Sequence, residues 1–135
     1  MRTTYKVAVA LVVGISTGCV AAETIRTQRA KPPPAYVIAE VEADPAKQAD
    51  PVEAKRYADE APKSLAAFQA RYLVRGGHVQ ALEGDAPKGY IVVIAFDSVE
   101  QARGWYNSPA YEAIKPIRQN TSKSRLLLAE GVVSP

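Results

Sequence analysis

From Ala35 to Gly131 the apolar residues alternate between two spacings, every second residue and every third or fourth. Ala35 to Glu42 alternates, which predicts a strand with Tyr36, Ile38, Glu40 and Glu42 on one face and Val37, Ala39 and Val41 on the other. Asp50, Pro51 and Glu53 read as a helix start, with a capping carboxylate, a pre-set first residue and an acid to close a capping box. Tyr57, Ala61, Leu65 and Phe68 then recur at helical spacing as a buried stripe, and Pro62 predicts a kink or division near Glu60. Tyr72 to Arg75 is a second strand. Gly76-Gly77 interrupts it before the strand-like run His78 to Glu83, which predicts a bulge or tight bend. Gly84 to Gly89 is a turn into Tyr90 to Phe96, a strand apolar at every residue and therefore covered on both faces. Asp97 or Ser98 caps the next helix, with Val99, Ala102 and Tyr106 inward. Ser108-Pro109 restarts a helix with Ala110, Ile114 and Ile117 inward, and Pro116 is a further kink. Ser124 to Gly131 is the last strand.

The order is β-α-β-β-α-β, so the predicted fold class is α+β, a ferredoxin-like sandwich. Its helices cover one face of the sheet. The third strand and much of the fourth are apolar on both sides, so the other face would be a large exposed apolar patch. Two copies closing sheet against sheet would cover it, which predicts a homodimer, a dimeric α+β barrel.

The first 34 residues follow different rules. Arg2 and Lys6, the apolar core Val7 to Ile15, and the small residues Val20-Ala21-Ala22 predict a signal peptide over 1–22, cleaved after Ala22. The expected location is exported, periplasmic or secreted. An uncleaved anchor is the alternative, as is a lipid on Cys19, whose preceding Gly18 suits a lipoprotein signal although Ser16 stands where that pattern usually has leucine. Residues 23–34 end in Lys31-Pro32-Pro33-Pro34 and read as a proline-rich linker. The domain is 35–132 and the tail 133–135.

Charge changes this picture little. Five of the 17 Lys and Arg residues precede Ala35, as does one of the 14 acids, so the domain itself is near neutral despite the formal +3. No basic cluster with interleaved aromatics occurs, which argues against a nucleic-acid partner. Cys19 is the only cysteine, which excludes thiolate chemistry and disulfides within the domain.

Several segments resemble the family known as domain of unknown function 1330: Tyr36 to Glu40, Arg71 to Gly77, Leu82-Glu83-Gly84, Val93 to Ser98, Ala102 to Tyr111, Pro116-Ile117-Arg118 and Leu128 to Gly131. The resemblance spans about Ala35 to Val132, and its most specific parts are the Arg-Gly-Gly and Trp-Tyr-x-Ser-x-x-Tyr segments. It implies the dimeric α+β barrel and leaves the function open. Barrels of this kind include cofactor-independent monooxygenases, muconolactone-type isomerases and haem enzymes, and a shared fold does not carry activity across.

The candidate ligand-binding residues are Tyr36, Arg75, Trp105, Tyr106, Tyr111 and Arg118. Arg75, in a half-buried strand, could grip a carboxylate, or could pair with Glu83 or Glu40. Arg118 could converge on the same place, or could be a helix-end cation facing water. The aromatic residues could wall a pocket or simply fill the core. His78 is the only histidine. It could act as a base or a haem ligand, or could face solvent, and alone it cannot build a usual zinc site. Glu40, Glu42 and Glu83 could be bases or solvated carboxylates. No phosphate loop, dinucleotide fingerprint, HExxH or GxSxG segment occurs, so no cofactor or metal is called for and no catalytic residue stands out. The expected function is binding of a small aromatic or carboxylated molecule between sheet and helices. The alternatives are a cofactor-independent monooxygenase-like or isomerase-like enzyme and a non-catalytic structural or stress-associated envelope protein.

Overall fold

A computed structural model describes residues 32–47 and 50–133. The expected signal segment and cleavage point, Cys19 and the expected linker up to Lys31 lie outside the described residues, as does the end of the tail. The elements are β1 (Ala35–Ala43), α1 (Pro51–Ala66), β2 (Arg71–Arg75), β3 (Tyr90–Phe96), α2 (Val99–Tyr106), α3 (Pro109–Glu112), α4 (Lys115–Thr121) and β4 (Ser122–Glu130). The strands form one sheet in the order β2-β3-β1-β4, and every neighbouring pair is antiparallel. This is the ferredoxin-like arrangement, with the second crossover broken into three short helices.

β1 sets the two faces. Val37, Ala39 and Val41 are buried under the helices. Tyr36, Ile38 and Glu40 point the other way, beside Ala95, Val93 and Ile91 of β3 and Ala129, Leu127 and Arg125 of β4. The core beneath the helices is built from Val37, Ile94 and Phe96 of the sheet, Ala61 and Leu65 of α1, and Trp105, Tyr111, Ile114 and Ile117 of the second crossover. Gly89 lets β3 begin against β1, because a Cβ there would lie 1.9 Å from the Val41 carbonyl oxygen. No side chain fits that approach.

Local chemistry departs from expectation at several points. Asp50 caps α1 by accepting from the Val52 N–H at 2.8 Å, but Glu53 turns to Arg56 at 3.3 Å and closes no capping box. α1 passes through Pro62 without dividing. His78 to Glu83 forms no strand; Gly76, at φ 68°, ends β2, and the irregularity in pairing falls one turn earlier, at Leu73 between Tyr72 and Val74. On α2 it is Trp105, not Tyr106, that joins Ala102 inside, and in α3 it is Tyr111, not Ala110. Ser98 and Ser108 start the two helices. Each hydroxyl accepts the N–H three residues on, from Gln101 and Tyr111, and so caps its helix. β4 starts at Ser122, two residues before the expected Ser124.

Candidate functional site

Between the helices and the sheet the core is incomplete. A cavity of about 330 Å³ remains, walled by Val37, Ala39, Val41, Val92, Ile94 and Leu126 of the sheet and reached by Arg75, Trp105, Tyr111 and Arg118 among the sequence-predicted residues. That size suits a small organic ligand. The exposed wall residues, Ala43, Ala54, Ala58, Arg75 and Tyr90, form its mouth.

Arg118 is the unusual member. It sits on α4 with 8% of its surface exposed. One of its guanidinium nitrogens, Nη1, donates to Ser124 Oγ, while its buried Nε has no partner. None of the ion pairs among the described residues involves it. A desolvated cation without an anion is costly, and a ligand that brings a negative charge removes that cost. Pro116 at the start of α4 and Ser122 at its end place the residue: the Ser122 hydroxyl donates to the Arg118 carbonyl at 2.8 Å and holds the last turn against β4.

Arg75 has a different task from the one its sequence neighbours suggest. It pairs with neither Glu83 nor Glu40; Glu40 is bonded to Arg125 at 2.8 Å. Arg75 Nη2 donates to the Ala58 carbonyl of α1 at 3.1 Å, and its guanidinium lies 4.8 Å from the centre of the Tyr72 ring. The cause is Pro62. Proline has no N–H, so the carbonyl four residues earlier, that of Ala58, loses its helical partner. Arg75 supplies the missing donor and thereby clasps β2 to α1 across the cavity mouth.

Four phenols line the cavity: Tyr57, Tyr72, Tyr90 and Tyr111. Burial pushes the Tyr57 hydroxyl well above the ordinary tyrosine range. The Tyr111 hydroxyl beside it adds to the rise, and Arg118 partly opposes it. Tyr72 is also raised by burial, with Arg75 pulling against the rise. Both therefore stand as neutral hydroxyl groups able to donate a hydrogen bond to a ligand. Neither Tyr57 nor Tyr72 was among the sequence candidates. The available signal was a phenol on the buried stripe of α1 and another on the helix-facing side of β2, opposite Ile94.

Of the other candidates, Trp105 belongs to the cavity and the rest lie elsewhere. Trp105 is 2% exposed; its Nε1–H donates to Ser64 Oγ at 3.0 Å and its ring lies 4.1 Å from that of Tyr111 and 5.6 Å from that of Phe96. It forms the inner end of the cavity and part of the core at once. Tyr36 is on the opposite face of the sheet. Tyr106 is partly exposed, with Lys115 Nζ 4.3 Å above its ring, and lines a separate outer pocket. His78 and Glu83 are exposed, away from the cavity. Among the described residues, no group of three His, Cys, Asp or Glu side chains is placed to hold a metal ion.

This sheet and its helices are those of the ferredoxin-like α+β proteins from which dimeric barrels are built. Residues 34–132 match the family described as a domain of unknown function (DUF1330), and the chain belongs to that family. Among solved structures it is similar to RPA0582, a protein of unknown function from Rhodopseudomonas palustris, at 17% identity and a TM-score of 0.57, covering 76% of this chain and 85% of that one. It is also similar to a dimeric ferredoxin-like protein of unknown function from Thermobifida fusca YX, at 14% identity and a TM-score of 0.51, covering 74% of this chain and 92% of that one. SnoaB, a cofactor-independent oxygenase from Streptomyces nogalater, is similar at 13% identity and a TM-score of 0.51, covering 76% of this chain and 96% of that one. These likenesses establish the fold alone. No curated protein matches.

Proposed function

We propose that the protein is exported, assembles as a homodimer, and binds a small aromatic or carboxylated molecule in the cavity between sheet and helices. The observation that carries this reading is Arg118, a buried guanidinium with no carboxylate partner on the wall of an apolar cavity. A carboxylate would take its charge, the apolar walls would take a ring, and Tyr57 and Tyr72 would donate to remaining oxygens. A purely structural role would call for a filled interior instead. For the assembly, the support is the half-exposed apolar face around Ile38, Val93 and Leu127, together with the dimeric state of the similar protein from Thermobifida fusca.

Native mass spectrometry of the exported protein, followed by identification of co-purified molecules, tests location, assembly and ligand together. Thermal unfolding with benzoate and hydroxybenzoates tests the cavity directly. The wild type is expected to be stabilised by such acids, with the effect lost in Arg118→Met. Without ligand, Arg118→Met should be more stable than the wild type by about 1 kcal/mol, because an unpaired buried charge has been replaced by an apolar chain. Stabilisation that persists in Arg118→Met would sink the reading.

A second reading, a cofactor-independent oxygenase, is favoured by the cluster of phenols around the cavity and by the likeness to SnoaB. Oxygen uptake with hydroxyaromatic compounds, in the absence of added cofactor, is the readout. Binding without uptake leaves the first reading in place.

A further inference from the structure

Arg75 reaches the cavity by an irregular route. Tyr72 and Arg75 are three residues apart on β2, so plain alternation would set them on opposite faces of the sheet. Leu73 has no partner in the register: Tyr72 is opposite Ile94, and Val74 is already opposite Val93. That one extra residue turns Arg75 over to lie opposite Val92, on the helix side with Tyr72. The result is a cation at the mouth with donors to spare. Among the described residues its side chain makes a single hydrogen bond, to the Ala58 carbonyl, and no ion pair includes it, so the other N–H groups of the guanidinium stay open. The register also fixes where this cation stands relative to Arg118. Arg75, Val92, Ala39 and Leu126 form one row across the four strands, and all of them line the cavity. The row runs from one edge strand to the other, three strand spacings or about 14 Å between backbones. Arg118 is bonded at the far edge, to Ser124, which shares a face of β4 with Leu126. The two arginines therefore belong to opposite edges of the sheet, with an apolar floor between them.

We propose that the cavity takes a two-ended acid: one acid group on Arg118, a second at the mouth on Arg75, and an apolar body lying over Val92, Ala39 and Leu126. This rests on the cavity reading above and adds a second end to it. A monoacid satisfies Arg118 and leaves Arg75 to water. Two neighbouring carboxylates meet one edge of the sheet only, whereas a pair at opposite ends of a ring points toward both. Because Arg75 is exposed, its share is the modest one of a charge pair in contact with water.

The test compares benzoate, phthalate and terephthalate as ligands of the full-length protein, by calorimetry at ionic strength matched with sodium chloride. Phthalate and terephthalate carry the same charge and differ in the spacing of their carboxylates, so general attraction to a cationic surface cancels. Terephthalate should bind about three- to tenfold more tightly than benzoate or phthalate, and Arg75→Gln should bring the ratio of terephthalate to benzoate affinity to about one. Glutamine keeps an N–H donor for the Ala58 carbonyl and the position is exposed, so the variant should fold. The comparison of terephthalate with phthalate in the wild type decides without it. Terephthalate bound no more tightly than benzoate or phthalate, or a ratio unchanged in Arg75→Gln, overturns the two-ended ligand and leaves the cavity reading standing. Failure of all three acids to bind removes both.

Discussion

At the scale of single residues, the site is defined by groups whose surroundings do not suit their charge. Arg118 is buried without an acid beside it, and the hydroxyls of Tyr57 and Tyr72 are pushed above the ordinary tyrosine range by burial. For a tyrosine the consequence runs in one direction. A hydroxyl whose folded value lies above the ordinary 10.0 retains its proton longer in the folded state. Its contribution to stability is whole below pH 10 and is lost as the pH rises above that. Tyr57→Phe should therefore flatten the alkaline fall in melting temperature, measured from about pH 9 to 11.5 against the wild type. An unchanged slope would show that Tyr57 ionises as if in water.

At the scale of elements, Pro62 and Arg75 form one unit. The proline leaves a carbonyl unpaired in the middle of α1, and an arginine from β2 takes it up. Pro62→Ala restores the helical donor. It should stabilise the protein by about 1 kcal/mol or more in urea unfolding and release Arg75 from Ala58. A loss of stability would mean that the arginine contact outweighs the helical hydrogen bond it replaces. This unit also marks the limit of what the chain made legible. Strand and helix order could be read from local periodicity, because alternation in Ala35 to Glu42 and the stripe from Tyr57 to Phe68 report burial on one face. The proline could be read as a broken ladder, but not the remedy, which comes from a residue 17 positions away from Ala58. Arg118 was readable as a candidate cation but not as a buried one, since its burial depends on how three short helices fold back onto β4. Trp105 and Tyr106 differ by one position along α2, and helical spacing from Ala102, three or four residues, admits either, so the pattern alone did not choose between them.

At the scale of the whole molecule, the face of the sheet away from the helices decides assembly. Ile38 lies at its centre, between Val93 and Leu127, with the Glu40–Arg125 pair one step along. If two copies close on this face, Ile38→Glu would place a charge opposite its own image. Analytical ultracentrifugation at micromolar concentration should then find dimers for the wild type and single subunits for the variant, with the helical signal in circular dichroism retained. A wild type that sediments as a single subunit at that concentration rules out this assembly.

The junction of Pro34 with Gly131 carries a practical consequence. The Gly131 N–H donates to the Pro34 carbonyl at 2.6 Å, and a Cβ on Gly131 would come within 2.9 Å of Tyr36, so entry into β1 and exit from β4 are fastened at one corner. The cavity opens at the other end of β1, near Ala43, some nine residues or about 30 Å away. Attachment of the domain to a sensor chip or a resin through either end should accordingly leave the opening facing the bulk solution. Immobilised protein is thus a sound format for screening compound libraries.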